Sequence, residues 1–198
     1  MSSKIDIYNL ALTHLGMKEV TSVDANNPSA DALNTLYNPC LEDLFSEYRW
    51  PFATVKEALV SVTDTVLELE WENSYLRPTE AMTVWVVYNE GTMTAKEEQQ
   101  FETIYQPTYS RRIIGTNLDD AYCEYTYKII DTALYSPKFV MALSYKLAAS
   151  AAHTLLRTIK SGTDIMTIAR AFIEEAKAIS FSEKVNKREI TSSYRNSR

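Results

Sequence analysis

Residues 28–62 read PSADALNTLYNPCLEDLFSEYRWPFATVKEALVSV. Leu33, Leu36, Tyr37, Cys40, Leu41, Leu44, Phe45 and Tyr48 recur at three- and four-residue steps, which predicts one amphipathic helix from about Pro28 to Arg49. Asn27 is a good N-cap and Pro28 a good first helical residue. Pro39 removes one backbone hydrogen bond and is expected to kink or break the helix near Thr35 to Asn38. The Trp50-Pro51 pair ends it. After that pair the apolar period falls from that of a helix to that of a strand.

Working outward, a first helix is predicted over Lys4–Leu15, capped by Ser2 or Ser3 and stopped by Gly16. Ile7, Leu10, Ala11 and His14 share one face, and Ile5, Tyr8, Leu12 and Leu15 fill the next, so this helix needs neighbours on two sides. Ser136-Pro137 opens a third helix, with Val140, Leu143, Leu147, Ala151 and Leu155 as its stripe, alanines to slim it and Gly162 to end it. A fourth follows from about Asp164 to Val185, with Ile165, Ile168, Ala169, Phe172, Ala176 and Ile179 inward, closing a helical hairpin through a very short turn.

Between Ala53 and Ile130, Val, Thr, Tyr, Ile and Trp dominate. Candidate strands are Glu57–Val62, Val66–Trp71, Thr83–Tyr88, Thr92–Ala95, Arg111–Gly115 and Ala121–Ile130, with a hairpin turn at Asn89-Glu90-Gly91 and a short helix over Lys96–Tyr105. The expected class is α+β: a four-helix bundle scaffold (1–52 and 136–185), an inserted antiparallel β-rich subdomain (53–135) and an extended C-terminal tail (186–198).

The 198 residues suit one domain with a sizeable insertion. Cys40 and Cys123 are the only cysteines and suggest no disulfide framework. The N-terminus lacks the pattern of a signal peptide, and the strongly apolar run at Val84–Tyr88 is too short to span a bilayer. A soluble protein made in a cytoplasm, with no membrane partner, is expected.

The net charge is −6, unevenly spread. Residues 184–198, KVNKREITSSYRNSR, carry +4, which leaves −10 on the other 183. That balance excludes a general nucleic-acid binder and suits a tail that docks on an acidic partner. Lys184, Lys187, Arg188, Tyr194, Arg195 and Arg198 are its candidate docking residues, because Tyr and Arg are the usual interface anchors. A frayed terminus explains the same composition.

Catalytic patterns are sparse. His14 and His153 have no Cys or His at metal-ligand spacing and read as structural, so neither a metal nor a cofactor is expected. Four glycines cannot supply a phosphate cradle as well as the turns. Glu68, Glu70 and Glu72 alternate with Leu67, Leu69 and Trp71, which on a strand puts three carboxylates on one face. Glycosidases need two carboxylates across a bond, so a solvated face or the wall of a negatively charged lumen is the preferred reading. Arg111-Arg112 is a lone basic pair suited to phosphates or to a surface salt bridge.

ALTHLGMKEVTSV (11–23) followed by ALNTLYNPCLEDLFSEYRWPFATVKEAL (32–59) resembles the tail tubular protein A family, the head-to-tail adaptors of short-tailed bacteriophages. Leu15-Gly16, the helix to Tyr48 and the exit Trp50-Pro51-Phe52-Ala53 carry the likeness. Trp71, Tyr75, Pro78 and Val84–Val87 continue it, and so do Tyr125, Tyr127, Pro137, Phe139, Ala142, Leu143, Leu147 and Ala148. It spans about Ile5 to Ala178. Pro39, and Thr79-Glu80 in place of an aspartate near Pro78, depart from it.

The resemblance implies a non-enzymatic virion protein of the tail and neck region. Twelve copies would form a ring beneath a dodecameric portal protein. The C-terminal segment would climb onto the portal, and the β region would face a tail nozzle resembling tail tubular protein B. Double-stranded DNA would pass through during packaging and ejection, with Glu68, Glu70 and Glu72 as candidates for lining the lumen. Two other readings remain open: a virion-associated glycan hydrolase using those carboxylates, and a DNA-packaging accessory protein.

Overall fold

The computed structural model describes residues 2–63, 70–89, 100–156 and 159–185. Four helices and two antiparallel sheets make a mixed α/β fold.

Helix α1 (Lys4–His14) starts at a capping box in which Ser3 and Asp6 satisfy each other's backbone N–H groups. It stops at Gly16, whose φ of +66° is open to glycine at little steric cost. Ile7, Tyr8, Ala11 and Leu12 are buried, so both expected faces are used. The Asn9 side chain donates to the Val20 carbonyl and accepts from the Val20 N–H, which clamps the loop that follows α1.

Helix α2 (Pro28–Glu47) runs unbroken through Pro39, contrary to the expected break. Pro39 and Thr35 are both exposed, so the carbonyl deprived of its donor faces solvent and does not become a buried orphan. The buried residues Leu33, Tyr37, Cys40, Leu41, Leu44 and Phe45 follow the expected stripe.

Helix α3 (Pro137–Leu156), capped by Ser136 Oγ accepting from the Phe139 N–H, is the element against which the other three pack. It is long and apolar enough by composition to cross a membrane, and 61% of that stretch is buried inside the fold. Helix α4 (Ile159–Val185) begins before Gly162, so this glycine is not a stop; the turn into α4 falls outside the described residues. A Cβ on Gly162 would lie 3.5 Å from the Ala149 carbonyl and 3.6 Å from Ala152, ordinary van der Waals contact, so the packing against α3 does not itself require glycine.

The inward stripe of α4 is also shifted. Ala169, Ile173, Ala176 and Ser180 are buried, whereas Ile168 and Ile179 are 45% and 40% exposed. Alanines on both helices let the backbones approach along that line, which leaves the two isoleucines on its flank.

Sheet A has the order β1-β7-β4 and is formed by β1 (Thr54–Ala58), β7 (Ala121–Tyr127) and β4 (Ala81–Asn89). Sheet B has the order β2-β3-β6-β5 and is formed by β2 (Val60–Val62), β3 (Asn73–Leu76), β6 (Arg111–Thr116) and β5 (Phe101–Gln106). The chain passes from sheet A to sheet B at Leu59, whose N–H still donates to the Ala121 carbonyl.

Residues 101–106 form β5, so the expected helix over Lys96–Tyr105 is wrong in its described part. Pairing with β6 satisfies backbone groups that sequence periodicity could not allocate. Glu70 lies in a turn and Trp71 outside any strand, which corrects the end of the expected strand Val66–Trp71; residues 66–69 lie outside the described residues. The expected strand Thr92–Ala95 and turn residues Glu90 and Gly91 lie outside them as well.

Two hydrophobic cores result. One joins the helices through Ile7, Leu33, Phe45, Trp50, Phe139 and Leu143. The other lies between the sheets, built from Tyr75, Val87, Ile114, Cys123 and Tyr125. Sheet A separates them. Register shifts in β4 at Met82 and Trp85 turn Met82 onto the helical core. The layers are therefore helices, sheet A, sheet B.

Candidate functional site

A cleft of about 360 Å³ opens where the chain crosses between the sheets. Glu57, Arg77, Glu80, Arg111 and Tyr125 supply its polar lining. β1 contributes Glu57 beside Val60 of β2, and the turn after β3 brings Arg77 to Glu80. Tyr125 in central β7 donates its hydroxyl to Glu57 Oε2 at 3.2 Å. Arg111 Nη2 donates to the Arg77 carbonyl at 3.0 Å and to Thr79 Oγ1 at 2.6 Å, which pins the turn. Arg77 Nη2 donates to the Met82 carbonyl at 2.8 Å.

Burial, and then the Glu57 carboxylate, push the Tyr125 phenol up to about 12. It stays protonated and serves as a donor. Burial, followed by Glu57, likewise pushes the Cys123 thiol up to about 12, so it is not a neutral-pH nucleophile. Burial first, and the like charge of Arg112 second, lower Arg77 from the usual arginine value. The cleft thus brings the carboxylates of Glu57 and Glu80 together with the guanidinium groups of Arg77 and Arg111.

Glu57, Arg77, Glu80 and Tyr125 carry no local sequence signal. Only the cross-strand register assembles them.

The carboxylates singled out in the sequence are placed in part. Glu70 and Glu72 are exposed ahead of β3; Glu72 borders a depression of about 370 Å³ with Ser61, Thr63 and Asn73. Its backbone N–H donates to Asn117 Oδ1 at 3.0 Å. Glu68 lies outside the described residues, as do Lys187, Arg188, Tyr194, Arg195 and Arg198. Lys184 is in the last turn of α4.

His14 stacks on Tyr145 at 3.6 Å, and Tyr145 stacks on Phe172 at 4.5 Å, so three rings join α1, α3 and α4. His14 Nε2 lies 3.1 Å from Ser144 Oγ. Ser144 already donates its proton to the Met141 carbonyl, so its oxygen accepts from the imidazole. That polarity is the reverse of a nucleophile giving its proton to a base, and Ser144 is fully buried. His153 is exposed. Among the described residues, no three His, Cys, Asp or Glu side chains group to hold a metal ion.

No protein-family model matches the chain, and no curated protein matches it.

Proposed function

We propose that the chain is a structural virion protein, an adaptor that joins a portal to a tail nozzle and forms part of the DNA channel. The observation that carries this reading is the aromatic cluster where the chain leaves the helices and returns to them. Trp50 and Phe52 of the exit motif meet Phe139, at 4.9 and 5.1 Å, with Phe45 and Tyr135 around it. Trp50 and Phe52 at one end of the β region and Phe139 at the other are among the residues that carry the resemblance to the tail tubular protein A family. They lock that region onto the helices as an insertion into a continuous scaffold.

On this reading the helices form a four-helix bundle that makes ring and portal contacts. Residues 1–52 and 136–185 belong to the scaffold, and 53–135 face the nozzle. The tail past Val185 docks on the portal through Lys184, Lys187, Arg188, Tyr194, Arg195 and Arg198. Glu68, Glu70 and Glu72 repel DNA from the lumen wall. Ring formation needs head-to-tail contacts between copies, so the free protein is monomeric until a portal templates it.

Electron microscopy of the protein mixed with its portal tests the proposal. A twelve-fold ring added beneath the portal is expected, and truncation after Glu183 should abolish it. Unaltered portal rings with the full chain would refute the adaptor role.

A further inference from the structure

Arg111 and Arg112 are adjacent in sequence, but strand alternation in β6 sends them to opposite faces of sheet B. Arg111 is committed to the turn at Thr79. Arg112 lies in a row across three strands. Tyr105 is directly opposite it on β5. On the other side, the Arg77 N–H donates to the Arg112 carbonyl at 3.2 Å and continues the pairing of β3 with β6. The three side chains spring from one sheet face, with Cβ atoms about 5 Å apart across each pair of strands.

Like charges placed opposite one another on neighbouring strands repel. Six other described cations are ion-paired: Arg49 and Lys56 with Glu124, Lys128 with Glu42, Lys138 with Glu175, Lys146 with Asp43 and Lys177 with Glu47. Among the described residues, no carboxylate forms an ion pair with Arg77 or Arg112. Arg77 is half-buried and held by the Met82 carbonyl; Arg112 is exposed, and Tyr105 is 63% exposed beside it. Two guanidinium groups that make no ion-pair contact and an open aromatic ring thus share one row, with the carboxylates of Glu57 and Glu80 in the cleft that Arg77 also lines.

We propose that Arg112, Arg77 and Tyr105 form a binding site for a phosphodiester group of nucleic acid. A planar guanidinium offers paired N–H donors that match two phosphate oxygens, and a bound phosphate supplies the ion-pair partner that exposed Arg112 does not have within the described residues. The Tyr105 ring stacks on the adjoining base or sugar. The net charge of −6 opposes a polyanion overall, so the contact is weak and strongly salt-dependent. The site stands independently of the connector reading, although a DNA channel would supply its ligand.

Fluorescence anisotropy of the full chain with labelled single-stranded and duplex oligonucleotides at low salt tests the site. Arg112→Ala is expected to weaken both by about tenfold and to lower the slope of log K against log salt by about 1. Arg112 is exposed, so this variant should keep the wild-type melting temperature. Tyr105→Ala should weaken the single strand more than the duplex. Inorganic phosphate should compete with both. Arg170→Ala, on exposed α4 surface, should bind as wild type.

Wild-type binding by both Arg112→Ala and Tyr105→Ala would overturn the site. So would a loss that follows only Lys187→Ala/Arg188→Ala, since binding would then belong to the tail. Phosphate binding with no oligonucleotide binding would overturn the nucleic-acid assignment. Portal decoration by Arg112→Ala should persist, which keeps this outcome separate from that of the connector proposal.

Discussion

The Arg49 guanidinium grips both carboxylate oxygens of Glu124, Nε on Oε1 and Nη2 on Oε2, across the junction between the helices and sheet A. Arg49 lies just past the end of α2, and Glu124 sits in central β7 with its side chain 5% exposed. Lys56 Nζ, from the neighbouring strand, is 3.6 Å from Oε2.

Removing one partner of such a pair strands a buried charge. Arg49→Ala is expected to destabilise the fold by about 3 kcal/mol, the low end for buried pairs because Arg49 is partly exposed. The melting temperature should fall by roughly 6–12 °C for a chain of this size. Arg49→Lys should recover only part, since an ammonium cannot bridge both oxygens. A melting curve unchanged in Arg49→Ala would show that Lys56 suffices.

His14 makes stability depend on pH. Burial against Tyr145 and Ser144 lowers its pKa from 6.5, favouring the neutral ring in the fold. Between the two pKa values the unfolded chain binds more protons, so stability rises with pH there. The contribution is fully present above 6.5 and is lost as pH falls from 6.5 to the folded value. His14→Phe keeps the stack and removes the titration. Urea midpoints taken across this range should slope in the wild type and flatten in the variant; equal slopes would remove His14 as the cause.

Pro39 sits on the exposed face of an unbroken helix. Pro39→Ala restores one N–H donor and relieves the ring's conflict with the preceding turn. The expected gain is about 2 kcal/mol, after allowing for the more flexible unfolded chain. It should appear as a higher urea midpoint with an unchanged m-value. A lower midpoint would mean that the proline sets a bend the core needs.

Gly115 in β6 lies under the Trp71 ring. A Cβ there would come within 2.5 Å of Trp71 Cδ1 and 2.8 Å of Cγ. Gly115→Ala should push the indole off the sheet and weaken its 3.3 Å hydrogen bond to Glu102. A red-shifted tryptophan emission is expected, with a loss of about 1–3 kcal/mol from overpacking. Emission identical to wild type would mean that the ring moves aside without cost.

Much of the helical part was legible. Ser3, Asn27 and Ser136 cap where local hydrogen bonding requires a cap, and the α2 stripe is buried as its spacing dictates. Pro39 and Gly162 misled because each is a stop only when its own backbone cannot be otherwise satisfied. Solvent exposure relieves the first, and the second sits inside α4, where a glycine weakens a helix by about 1 kcal/mol against alanine without ending it. Residues 101–106 misled because a short mixed segment takes its conformation from a partner, here β6.

Of the sites, the sequence singled out the charged tail and the glutamates, since runs and alternation are local patterns. It also marked Arg111-Arg112 as one pair, which the pleat divides into a structural arginine and an unpaired one. By itself the sequence determined the starts of α1, α2 and α3, the switch from helical to strand period at Trp50 and the charge imbalance of the tail, because each depends on residues within a few positions of one another. Tertiary structure alone decided the layer order, the Arg49–Glu124 junction, the Glu57–Tyr125 cleft and the Arg77–Arg112–Tyr105 row. Those rest on contacts between residues 7 to 75 positions apart, and hydrogen bonding across strands leaves no periodic trace along the chain.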